Sequence, residues 1–181
     1  MAGDETQARH DFGRLAAGVP LAGLCDHVIA PALRRVGEDW AAGELSIAAE
    51  HRATAICERL IAARVHQPQG RPRGIAVTTT PPGERHALPA MMAAACLRED
   101  HWHVQDLAAD VPVAEVIDLA ADTGASLIVL SSATSGAARL AAKETREIRE
   151  RLPNTRVLAG RPGDTLDRLS ELARASQDSG Q

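Results

Sequence analysis

From Gly74 onward the chain alternates short runs rich in apolar and β-branched residues with longer amphipathic segments. Gly74–Thr80, His103–Leu107, Ser126–Leu130 and Arg156–Ala159 read as strands, and Leu88–Arg98, Val113–Asp122, Ala137–Arg151 and Asp164–Ala173 as helices. A strand with one wet face alternates apolar and polar residues, whereas one covered on both faces is apolar throughout, as in Leu127-Ile128-Val129-Leu130. Alternation of this kind predicts a parallel sheet with helices on both sides, a doubly wound α/β domain. Ligands of such a domain lie at the carboxyl ends of the strands.

The residues before Gly74 show helical periodicity only. A short helix is expected over Thr6–Ala16, and Leu21, Leu24, Cys25, Val28, Ile29 and Ala32 recur at helical spacing. Another helix carries Ile47, Ala48, Ala55, Ile56, Leu60 and Ile61, after a turn at Ala41-Ala42-Gly43 with Ser46 as its N-cap. The polar, Pro- and Gly-rich stretch 66–74 is a linker by composition. It separates a small helical bundle, residues 1–66, from the α/β domain, residues 74–175.

A chain of 181 residues buries roughly 70% of its unfolded surface. Aromatic residues are only 2% of it, two Trp and one Phe, so Ala, Leu, Val and Ile must build the core. Cys25, Cys57 and Cys96 are too far apart in sequence for a zinc framework and read as small buried thiols. Net charge is −4, and basic residues alternate with acidic ones, as in Lys143–Arg151. That pattern is a solvated helix face and excludes a one-signed nucleic-acid surface. No apolar run reaches about 18 residues, and the first residues are acidic where a secretory signal is basic. A cytoplasmic protein with no membrane or direct nucleic-acid contact is therefore expected.

Three groups of residues fall at the predicted strand ends. Glu84 and His86 follow the first strand after the stiff Pro81-Pro82-Gly83 turn, with Leu88 opening the next helix. A carboxylate that accepts from one imidazole nitrogen sets the tautomer and basicity of the other for a metal. Ser131, Ala133 and Thr134 end the third strand, where small residues cap a helix or let a ligand lie close to the backbone. Ala159 and Gly160 end the fourth, where glycine lacks the Cβ that blocks a buried ligand tail.

In this order, Glu84-x-His86, Ser131-x-Ala133 and Ala159-Gly160 resemble the signature of cobalamin-binding domains, Asp/Glu-x-His-x-x-Gly followed by Ser-x-Leu and Gly-Gly. Pro89 stands where that motif has glycine, and Gly160 is not doubled. The resemblance implies a flavodoxin-like fold with His86 as the lower axial ligand of cobalt and the nucleotide tail buried along the sheet. Trp40, Glu50 and His51 are similar in spacing to the helical cap of light-sensing proteins of the CarH and LitR type, where such a trio surrounds the adenosyl group.

That resemblance implies a sensory module, not itself an enzyme, which uses adenosylcobalamin and signals through a homo-oligomer or a separate effector protein. It extends to the photocobilin subfamily, which adds biliverdin as a second chromophore, although no residue here marks a bilin site. Two rivals stand beside it: a corrinoid methyl carrier serving a methyltransferase, and a scaffold that has lost the cofactor and binds only partners.

Overall fold

The computed structural model describes residues 4–65 and 70–175, and the chain falls into two compact units, 1–65 and 66–181. Part of the linker expected over 66–74, namely 66–69, lies outside the described residues.

The first unit is helical. Helix α1, Glu5–Leu15, is capped by Asp4, whose carboxylate accepts from the Gln7 N–H. Helix α2, Leu21–Leu24, runs through a π-helical turn, Cys25–Ile29, into α3, Ala30–Ala41. The widened turn has a local cause. Pro31 has no N–H to donate and its ring crowds the carbonyl four residues back, and the π turn relieves both. It also shifts the helical register, so the apolar stripe expected through Ala32 is not continued: Ile29 is buried, Ala32 is exposed, and α3 buries no residue. Helix α4, Ile47–Ala62, starts at Ser46, whose hydroxyl accepts from the Ala49 N–H. Ala41 belongs to α3, so the turn begins one residue later than its sequence suggests. Phe12, Leu21, Leu24, Ile29, Ile56, Leu60 and Ile61 are buried in this unit.

The second unit holds four parallel strands in the order β2-β1-β3-β4, with β1 Ile75–Thr79, β2 His103–Asp106, β3 Leu127–Leu130 and β4 Arg156–Ala159. Helices α5 (Leu88–Glu99), α6 (Val113–Thr123), α7 (Ser135–Arg151) and α8 (Leu166–Arg174) cover it. The two-residue side-chain period of a strand divides the core. Val77, Ile128 and Leu130 pack with Val116, Ile117, Ala141 and Ile148 from α6 and α7. Ala76, Leu127 and Val129 face the other way, onto Ala93, Ala94 and Leu97 of α5 and Ala173 of α8, with Trp102. The sheet is thus doubly wound and flavodoxin-like, as its sequence predicts. Gly74, just before β1, is required by space: a Cβ there would sit 2.7 Å from Ser126 Oγ and 3.0 Å from the Trp102 ring.

Strand order reverses between β1 and β3. The connection from β1 leads outward to β2 and that from β3 leads outward to β4, so a crevice opens at the carboxyl ends of the two central strands. All three cysteines are buried, and none is in a disulfide. Among the described residues no helix is long and apolar enough to cross a membrane.

Candidate functional site

The loops after β1 and β3 flank that crevice. In the first, Pro82 leads into Gly83, whose φ of +81° is a conformation that other residues rarely adopt, and the Glu84 N–H closes the turn onto Pro81 O at 3.0 Å. The turn carries Glu84 inward and His86 outward: the Glu84 side chain is 2% exposed and that of His86 67%. Glu84 Oε1 is hydrogen-bonded to His86 Nδ1 and accepts the His86 backbone N–H at 3.1 Å. The second carboxylate oxygen accepts from Thr134 Oγ1 at 3.2 Å, across the crevice from the β3 loop.

Burial works to raise the Glu84 pKa, but hydrogen bonds from the His86 ring and backbone, with help from Thr134, outweigh it and hold the carboxyl below the ordinary glutamate value. A charged carboxylate on Nδ1 fixes the ring's orientation and leaves Nε2 for a metal. Pro82, Glu84, His86, Thr134, Ala137 and Leu140 line an open depression of about 450 Å³ at this edge.

Thr134 serves two elements. Its hydroxyl also accepts the Ala137 N–H at 3.1 Å as the N-cap of α7, so the cap expected among Ser131–Gly136 falls on this residue. Ser131 lies at the central strand end, where its N–H donates to Thr79 O at 2.8 Å, and Ala133 is exposed beyond it. Ala159 ends β4, and the Gly160 N–H donates to Leu130 O at 2.9 Å. A Cβ at Gly160 would find only ordinary contacts, 3.7 Å from Leu130 O. The chain thus gathers Glu84, His86, Ser131, Ala133, Thr134, Ala159 and Gly160 at one sheet edge, whereas Leu88 turns inward as a buried residue of α5.

Two residues at this edge have no sequence signal. Thr80 is fully buried; its hydroxyl donates to Glu84 O at 2.6 Å and accepts the Asp110 N–H at 3.0 Å. Asp110 Oδ1 accepts the Gly83 N–H at 2.7 Å. Neither follows from a motif or a periodicity, because both act through a loop whose path only the fold determines.

Trp40, Glu50 and His51 belong to the other unit. Trp40 lies in the last turn of α3 with 49% of its surface exposed, and Ile47, at the start of α4, is 61% exposed. His51 Nδ1 is 2.5 Å from Glu50 Oε2, and Glu50 Oε1 accepts from Thr54 Oγ1 at 3.0 Å. Among the described residues no group of three or more His, Cys, Asp or Glu could hold a metal ion by itself.

Family models described as B12 binding domains match both units, one over residues 1–64 and another over 74–174. Among solved structures the chain is similar to the monomethylamine corrinoid protein of Methanosarcina barkeri, at 18% identity and a TM-score of 0.66, over 88% of this chain and 85% of that one. A novel cobalamin-binding protein from Desulfitobacterium hafniense DCB-2 is similar at 15% identity and a TM-score of 0.51, over 95% and 92%. A chain of the methanol:cobalamin methyltransferase complex of M. barkeri is similar at 16% identity and a TM-score of 0.54, over 99% and 76%. At these identities the likeness is one of fold. Among curated proteins none matches.

Proposed function

We propose, from the premise that this chain belongs to the family of B12 binding domains over both of its units, that it is a corrinoid carrier serving a methyltransferase, with His86 as its cobalt ligand. The observation that carries the ligand assignment is the hydrogen-bonded series Thr134, Glu84 and His86 at the topological switch point. The residues present fit the group: His86 would hold the cobalt of a bound corrinoid through its exposed ring, with the buried Glu84 carboxylate behind it as hydrogen-bond partner. Bound cobalamin would supply an alkyl group held on cobalt, which is the chemistry a methyl carrier exchanges with its partner enzyme.

The residues of the chain do the rest. Glu84 accepts the Nδ1 proton of His86 and so presents Nε2 as donor, and Thr134 holds the second oxygen of Glu84 from the opposite loop. The turn around Gly83 fixes where the ring emerges. In this reading the chain positions a cofactor for a separate enzyme and is not itself the catalyst. Its structural neighbours, a monomethylamine corrinoid protein and a methanol:cobalamin methyltransferase complex, support a methyl carrier over a light sensor.

A second reading, a light sensor using adenosylcobalamin, is favoured by the exposed indole of Trp40 and the paired Glu50 and His51 in the helical unit. An indole packs well on an adenosyl group, and Glu50 is able to accept from a ribose hydroxyl. Biliverdin belongs to this reading alone, as a second chromophore, and the signal would pass to a second copy or an effector protein. Titration of the purified protein in the dark with methylcobalamin and with adenosylcobalamin separates the two. A carrier binds both with similar affinity, whereas clear preference for the adenosyl form, with bleaching under green light, would establish the sensor. Protein that stays colourless with either would leave only a partner-binding scaffold. In both cobalamin-binding readings His86→Ala is expected to abolish the spectrum of histidine-ligated cobalamin, and an unaltered spectrum would remove His86 from the site.

A further inference from the structure

We infer that Asp110, in the loop between β2 and α6, is a positioning residue for the cobalt ligand: it clamps the Gly83 turn so that His86 is presented in one orientation. This rests on the reading of His86 as the axial ligand. The turn needs such a clamp, because its outward residues are poorly held, with the Arg85 side chain 88% exposed and that of His86 67%. Packing cannot fix a side chain that solvent surrounds on most sides, so the backbone beneath it must be tied.

The ties converge on Asp110. Its Oδ1 accepts the Gly83 N–H at 2.7 Å, and its Oδ2 lies 3.9 Å from Arg85 Nε. Its own N–H donates to Thr80 Oγ1, and that hydroxyl donates to Glu84 O, so one buried threonine joins the clamp to the residue that holds the imidazole. The loop is built to reach this position. Ala108 and Asp110 both adopt left-handed backbone, at φ of +58° and +61°, a conformation that is strained for residues with a Cβ. Compensation comes from β1: the Leu107 N–H donates to Thr78 O, and Asp106 Oδ1 accepts both the Ala108 N–H and the Thr78 hydroxyl. Asparagine and aspartate tolerate the left-handed region best, and aspartate's carboxylate is what reaches Gly83.

Two substitutions isolate the hydrogen bond. Asp110→Gly keeps the left-handed backbone and removes the acceptor, whereas Asp110→Asn keeps an acceptor oxygen and the backbone preference. Protein carrying isotopically labelled histidine, loaded with cob(II)alamin, reports nitrogen ligation by electron paramagnetic resonance, because a labelled protein nitrogen splits the cobalt signal differently from the cofactor's own base. Asp110→Gly is expected to weaken cob(II)alamin binding about tenfold and to lose part of the labelled splitting, with Asp110→Asn within about twofold of the unaltered protein.

In the cofactor-free protein, hydrogen exchange at the Gly83 amide should quicken about tenfold in Asp110→Gly. If the unaltered protein and His86→Ala show the same unlabelled pattern, the ligand reading fails and the clamp with it. If the labelled splitting depends on His86 but Asp110→Gly binds and exchanges like the unaltered protein, the clamp alone is overturned. Equal losses in Asp110→Gly and Asp110→Asn would also overturn it, since the hydrogen bond would then not be what matters.

Discussion

At the scale of the residue, Thr134 shows how one hydroxyl serves fold and site together. It accepts from the Ala137 N–H to start α7 and donates to Glu84 to hold the carboxylate behind His86. The two roles separate by substitution. Thr134→Ala loses both and is expected to cost about 1 kcal/mol of stability, the usual worth of an N-cap, together with several-fold weaker cobalamin binding. Thr134→Asp keeps the cap acceptor but sets a second carboxylate against Glu84, so stability should hold better than in the alanine variant while binding falls further. Urea denaturation and cofactor titration of the pair check this. The cap was legible in the run Ser131–Gly136 because small hydroxyl residues directly before a helix commonly serve as its N-cap. Its bond to Glu84 was not, because the two residues are 50 positions apart and meet only when β1 and β3 pair.

At the scale of the element, the sequence reads well wherever a periodic pattern is long and less well where a single residue alters it. Helices α5, α6 and α7 and strand β4 fall within a few residues of their expected bounds. The π turn at Cys25–Ile29 was not expected, since its cause is the conflict between Pro31 and the helix preceding it, which periodicity counts do not weigh. The entry to strand β1 carries a second single-residue constraint. Gly74→Ala would press a methyl group into Ser126 Oγ and the Trp102 ring, so about 1–3 kcal/mol of destabilisation is expected, measurable as a lower midpoint in thermal denaturation. The same change at Gly136, where a new Cβ would meet nothing closer than 3.9 Å, should do no such harm and serves as the control.

At the scale of the whole molecule, the α/β unit carries a buried charge that it does not use in the site. Glu144, 5% exposed on the covered face of α7, has its pKa raised to about 7, first by burial and then by Glu147, against a smaller opposing effect of Lys143. Below a pH of about 4.5 the folded and unfolded chains both hold this proton and stability does not depend on it. Between about 4.5 and about 7 the unfolded chain releases it while the folded chain keeps it, so stability falls as pH rises, with the full penalty present above that range. Glu144→Gln is therefore expected to stabilise the protein by about 1–2 kcal/mol at pH 8, after allowance for solvent screening, and to do nothing at pH 4. Denaturation curves at the two pH values test the sign.

The sequence by itself determined the α/β class, the helical first unit and the identity of the residues at the strand ends, because side-chain period and turn chemistry are local properties that survive without tertiary context. Only the tertiary structure decided which of those ends meet. Parallel pairing of β1 with β3 brings Thr134 to Glu84, and the left-handed path of the loop after β2 brings Asp110 to Gly83. Contacts between residues distant in sequence depend on the order of strands in the sheet, and no local pattern of residues encodes that order.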